Sequence, residues 1–146
     1  MSIRAAGLAA IALAAVPAHA AEFRTLGDKP AVLYDAPSTR ADRLFVASRN
    51  YPFEVLVKLD LWTKVRDSNG EVAWVENSAL GSRANVLVTV PLADIRAAAS
   101  ADSPLVFEAY KNVLLEVVEP PVDGWLRVRH RDGQQGFIRV AHVWGS

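Results

Sequence analysis

The sequence predicts an all-β chain made of two tandem small β-barrels packed together, and three observations carry that reading. The chain repeats itself at a spacing of 62 to 63 residues. Within each copy, short runs alternate apolar and polar residues by twos, the period of a half-buried strand. Each copy also places an Asn-Gly or Asp-Gly pair between two such runs, which reads as a hairpin.

The repeat is clearest where Trp62-Thr63-Lys64-Val65-Arg66 lies on Trp125-Leu126-Arg127-Val128-Arg129, a shift of 63. It continues without a gap through Asn69-Gly70 on Asp132-Gly133 and Ala73-Trp74-Val75 on Gly136-Phe137-Ile138, to Ala79-Leu80 on His142-Val143. Upstream the shift is 62, so that Leu33 meets Ile95, Phe45 meets Phe107, Asn50 meets Asn112 and Glu54-Val55 meets Glu116-Val117. The extra residue of the second copy falls within Glu119 to Gly124, a stretch that reads as loop, and loops absorb insertions at small cost.

Phe53 to Val57 and Val113 to Val118 are β-branched and apolar, and each is followed by an alternating run. Alternation puts Thr63 and Val65, or Leu126 and Val128, on the core side, with Lys64 and Arg66, or Arg127 and Arg129, on the wet side. Asn69-Gly70 and Asp132-Gly133 are expected as two-residue turns with a positive φ at both central positions. Ala93 to Ala101 is helical by composition, but the repeat aligns it with Val32 to Thr39, where Pro37 argues for strand and loop. The repeat outweighs the propensity.

Residues 1–20 are not fold material. Arg4, the apolar run Leu8 to Val16 and the small-x-small signal Ala18-His19-Ala20 make an export leader, with cleavage expected after Ala20. That run is too short for a transmembrane anchor. With no cysteine, the chain has no disulfides and no lipid-accepting thiol. A periplasmic or secreted monomer is expected, with leader 1–20, a first barrel over 21–82, a second over 85–146, and a polar link from Gly81 to Asn85. A core of about sixty residues supplies only ~3–5 kcal/mol alone, so the two copies should pack as one body.

The order of these motifs resembles tandem bacterial SH3-like domains. The second copy offers Asp94-Ile95-Arg96 at the opening, Gly124-Trp125-Leu126-Arg127-Val128 at the strand and Asp132-Gly133-Gln134-Gln135-Gly136-Phe137-Ile138 at the hairpin. The first offers Leu33-Tyr34, Trp62-Thr63-Lys64-Val65 and Gly70-Glu71-Val72-Ala73-Trp74-Val75. The opening proline of such units survives only as Pro37, with Ala99 in its place in the second copy. The resemblance implies five-stranded SH3-like barrels, a cell-envelope setting and binding to peptide or cell-wall material, and it implies no catalytic residues.

The residue types point away from catalysis. Cysteine nucleophiles are excluded, and no serine sits in a G-x-S-x-G turn. His130 and His142 align with Asp67 and Ala79 of the other copy, and the acids are scattered over loops and wet faces, so neither a catalytic group nor a metal site is expected. No Gly-rich phosphate loop or cofactor motif appears. Formal net charge is zero, and removing Arg4 with the leader leaves it near neutral, which argues against nucleic acid as a partner.

The candidate ligand-binding residues are Trp125, Arg127, Arg129, Trp62, Tyr110 and Tyr34. Flat, stiff rings grip extended peptide at small entropy cost, and Arg127, Arg129 and Arg131 would form a basic ridge beside Trp125 unless Glu116 and Glu119 pair with them across the sheet. Trp74 and Phe137 are expected to pack between sheet and turn. The sequence thus reads as an exported binding or adaptor module that recognises cell-wall peptide or an envelope protein through the Trp125 and Arg127 side of the second copy. The alternative is a structural accessory subunit of an envelope assembly.

Overall fold

The computed structural model describes residues 19–146, so the leader expected over residues 1–20 lies almost wholly outside the described residues. The first unit holds β1 (Phe23–Thr25), β2 (Ala31–Tyr34), β3 (Arg43–Ala47), β4 (Pro52–Lys58), β5 (Trp62–Arg66) and β6 (Val72–Glu76). The second holds β7 (Asn85–Val88), β8 (Leu92–Arg96), β9 (Leu105–Tyr110), β10 (Leu114–Val122), β11 (Trp125–Arg129), β12 (Gln135–Arg139) and β13 (Val143–Trp144). All named pairings are antiparallel, in the orders β1-β4-β5-β6-β2-β3 and β13-β7-β10-β11-β12-β8-β9.

The two sheets are one design used twice. Leu26 bridges Leu80 in the first and Val88 pairs with Val143 in the second, so the chain end of each unit returns to its opening strand at the positions that the repeat equates. Short 3₁₀ turns, Asn77–Ala79 and Val140–His142, follow β6 and β12. Asn50 and Asn112, matched at a shift of 62, both take a left-handed conformation, φ 63° and 72°, which asparagine tolerates better than most residues. Residues 93–101 follow the repeat rather than their helical composition: β8 covers the first part, and bends and turns make up the rest.

Each unit closes its own apolar interior, as the alternation requires. Leu33, Phe53, Val65 and Val75 fill the first, and Val86, Ile95, Leu115, Leu126, Val128 and Ile138 fill the second, all fully buried. Gly136 stands where the first unit has Ala73, and β8 leaves no room there for a side chain. A Cβ on it would stand 2.5 Å from Ile95 Cγ2 and 2.7 Å from the Arg96 carbonyl oxygen.

The hairpin turns differ from expectation. Gly70 and Gly133 have φ 89° and 95°, but neither Asn69 nor Asp132 has a positive φ. The Asp67 N–H donates to the Glu71 carbonyl and the Gly70 N–H to the Asp67 carbonyl, which makes a three-residue loop closed by a left-handed glycine. The cause is Asp67, whose Oδ1 accepts the N–H groups of Asn69 and Glu71 at 2.9 Å each. The two-residue turn with both φ positive occurs instead at Asp123-Gly124, φ 51° and 80°, where Val122 pairs with Trp125.

One added residue in a hairpin loop changes the facing of everything beyond it. Arg66 pairs with Val72 and Lys64 with Trp74, so Trp74 shares the outer face with Trp62 rather than packing between sheet and turn. Phe137, opposite Arg127, does the same in the second unit.

The units are joined by more than their link. The Trp144 indole N–H donates to the Pro52 carbonyl at 3.2 Å, and its ring meets Phe23 edge-to-face at 5.2 Å. The Asn85 N–H donates to Thr25 Oγ1, and Gly145, at φ 117°, passes too close to Pro52 and the Asn85 carbonyl for any side chain.

Candidate binding site

On the outer face of the first unit, cross-strand pairing gathers the aromatics. β2 sets Tyr34 opposite Trp74, and β5 sets Trp62 opposite Glu76. Tyr34 and Trp62 meet edge-to-face at 5.5 Å, a favoured ring geometry. Tyr34 is buried and braces Trp62, which stays half-buried and open on one side. Lys64 Nζ stands 5.8 Å from the centre of the Trp74 ring.

Two grooves flank this pair and share Glu76 and Ser78. One, about 420 Å³, runs between Pro37, Leu61 and Trp62. The other, about 530 Å³, runs along Pro30, Val32 and Tyr34. Asn77 holds the loop between β4 and β5 beside them: its amide donates to the carbonyls of Leu59 and Asp60, and its Oδ1 accepts from Thr63 Oγ1 at 2.6 Å. Among the described residues Glu76 makes no ion pair, which leaves its carboxylate free to accept from a ligand.

The second unit spends the equivalent face differently. Arg96 stands where the first unit has Tyr34, bound to Asp94 Oδ2 and the Ser103 carbonyl. The Arg139 guanidinium lies 4.7 Å from the centre of the Trp125 ring and covers it. Arg127 pairs with Glu119 and Arg129 with Glu116, because those acids are their cross-strand partners on β10. The Arg129–Glu116 pair repeats Arg66–Glu54 of the first unit at the same 3.0 Å. These pairs neutralise Arg127 and Arg129 of the ridge that the arginine spacing suggests and leave Arg131 without an ion pair among the described residues, and each is worth little in stability.

The six residues singled out in the sequence therefore do not form one site. Tyr34 and Trp62 are together, Trp125, Arg127 and Arg129 share the outer face of β11, and Tyr110, 74% exposed, stands apart at the end of β9. The sequence reading missed Trp74, Glu76 and Asn77. The buried-turn signal of Asp67 before Ser68-Asn69-Gly70 would have corrected the register and brought Trp74 to the face.

His130 occupies the turn position of Asp67, with its Nδ1 3.4 Å from the Asp132 N–H and 3.1 Å from Asp132 Oδ2. The Gln134 N–H, donating to Asp132 Oδ1 at 2.9 Å, and then His130 hold the Asp132 carboxyl below its ordinary range. Among the described residues no serine hydroxyl bonds either histidine, no group of His, Asp or Glu could hold a metal ion, and no helix is long and apolar enough to cross a membrane.

Comparison with known families matches the bacterial SH3 domain twice, over residues 27–81 and 89–145. Comparison with curated protein sequences finds no match. Among solved structures, NlpC2 from Trichomonas vaginalis is similar at 15% identity and TM-score 0.41, over 87% of this chain and 49% of its own. NlpC1 from the same organism is similar at 16% and 0.40, over 96% and 51%. An NlpC/P60 family protein from Bacillus cereus is similar at 17% and 0.39, over 86% and 57%. The chain thus spans about half the length of the structures it resembles. One matched segment falls in each sheet, leaving out only the strands β1 and β7, and the two include Tyr34, Trp62 and Trp125; the chain belongs to the bacterial SH3 domain family, as a tandem pair.

Proposed function

We propose that this chain is an exported, non-catalytic binding module that recognises cell-wall peptide or a peptide segment of an envelope protein through the outer face of its first unit. The observation that carries this reading is Trp62, braced by Tyr34 between two grooves that share Glu76. An indole held on a rigid strand beside an unpaired carboxylate suits an extended chain, since the ring covers apolar side chains and Glu76 accepts from backbone N–H groups. Membership in the bacterial SH3 family supports a binding role, and the leader pattern in residues 1–20 supports export.

Co-sedimentation of the purified protein with purified cell wall, and retention from an envelope extract, test the reading. Trp62→Ala should lose at least tenfold in retention while thermal unfolding shows a folded protein, and Trp125→Ala should retain binding. Equal retention by wild type and Trp62→Ala would overturn it. N-terminal sequencing of the exported protein should begin at Ala21.

A structural accessory role is favoured by a different feature, the sheet-edge strands β3 and β9, which expose Leu44, Val46, Leu105 and Val106. Stoichiometric co-purification with an envelope complex that survives Trp62→Ala would select it.

A further inference from the structure

A third cleft lies between the two units, away from the aromatic face, with a volume of about 630 Å³, within the range of about 300–1,000 Å³ usual for ligand sites. The first unit contributes Ser48 to Asn50, the link contributes Arg83, and the second unit contributes Asn112 to Leu114 and the turn after β11. No single unit builds it.

Its charge is out of proportion to the chain. Arg49, Arg83, Arg129 and Arg131 line it against one carboxylate, Glu116, in a sequence of zero formal net charge. Glu116 is taken by Arg129, and Arg83 has only Asp28 at 3.9 Å. Among the described residues Arg49 and Arg131 make no ion pair.

Asn85 supplies an independent sign. It lines the cleft, is 6% exposed, and its Nδ2 is a buried side-chain donor without a hydrogen-bond partner. A buried donor left unmade is costly, and an acceptor entering the cleft removes that cost. Its backbone is fixed, bonded to Thr25 and paired with Glu116, which keeps the residue at the cleft.

We infer that the cleft between the units binds an acidic peptide segment, whose carboxylates are taken by Arg49, Arg83 and Arg131 and whose backbone is met by the cleft's asparagines. Guanidinium forks match carboxylates by paired N–H donors. Asn50, Asn85 and Asn112 both donate and accept, which suits peptide groups, and Val113 and Leu114 offer an apolar patch that a small inorganic anion would not use. The inference is independent of the aromatic face and would stand if that face bound nothing.

Titration calorimetry with triglutamate, triglutamine and inorganic phosphate as separate probes tests it. Triglutamate should bind, more weakly as salt is raised, and triglutamine at least about tenfold more weakly. Arg49→Ala and Arg131→Ala should each weaken triglutamate about five- to tenfold with an unchanged melting temperature, while Arg43→Ala, on β3, and Trp62→Ala leave it unchanged. Equal binding of triglutamine, competition by phosphate at equal affinity, or indifference to both arginine variants would overturn the inference.

Discussion

Replacing Trp144 by alanine removes a side chain that ties the last strand of the second unit to the first. The indole is half-buried, hides about 100 Å² of ring, and at about 25 cal/mol per Å² this loses ~2–3 kcal/mol. The bond to the Pro52 carbonyl adds about 1 kcal/mol, and the edge-to-face contact with Phe23 about 0.5–1 kcal/mol. The loss is roughly 4 kcal/mol, as much as a sixty-residue core supplies by itself. Calorimetry of the wild type should therefore show one transition. In Trp144→Ala the midpoint should fall by about 12–16 °C, at roughly 3–4 °C per kcal/mol for a chain of this size, and the peak should broaden or split as the units melt separately. Two well-separated transitions in the wild type, or a shift below about 3 °C in the variant, would refute the idea that each unit depends on the other.

Gly136→Ala should cost about 1–3 kcal/mol, because the new methyl meets the Arg96 backbone, which cannot yield as a flexible side chain would; denaturant unfolding measures it, and Ala73→Gly at the matched position should cost less than that. The Asp132 carboxyl, followed by NMR, should titrate below an ordinary aspartate. Its folded pKa is depressed, so its contribution is present above the unfolded value and lost as pH falls through the folded one. Asp132→Asn should remove that acid-side dependence.

The inner face of each barrel is legible in the sequence because alternation and the repeat constrain it twice: Val65 and Val128, or Leu33 and Ile95, must be core for either copy to close. Spacing alone misplaces Trp74 through one local feature. Asp67 captures two backbone N–H groups, lengthens the turn by a residue and so reverses the facing of β6, and His130 does similar work before β12. Spacing also overstates Arg127 and Arg129, whose charges are met by Glu119 and Glu116 only once β10 is laid beside β11.

The sequence by itself determined two β units, their order, their inward residues and their short join, since these follow from periodicity along the chain. Only the tertiary structure decided which rings stay open and where the arginines converge. Arg139 over Trp125, Tyr34 under Trp62, and Arg49 in one cleft with Arg131 are juxtapositions of residues on different strands or different units, and their geometry depends on register and docking, which no local pattern encodes.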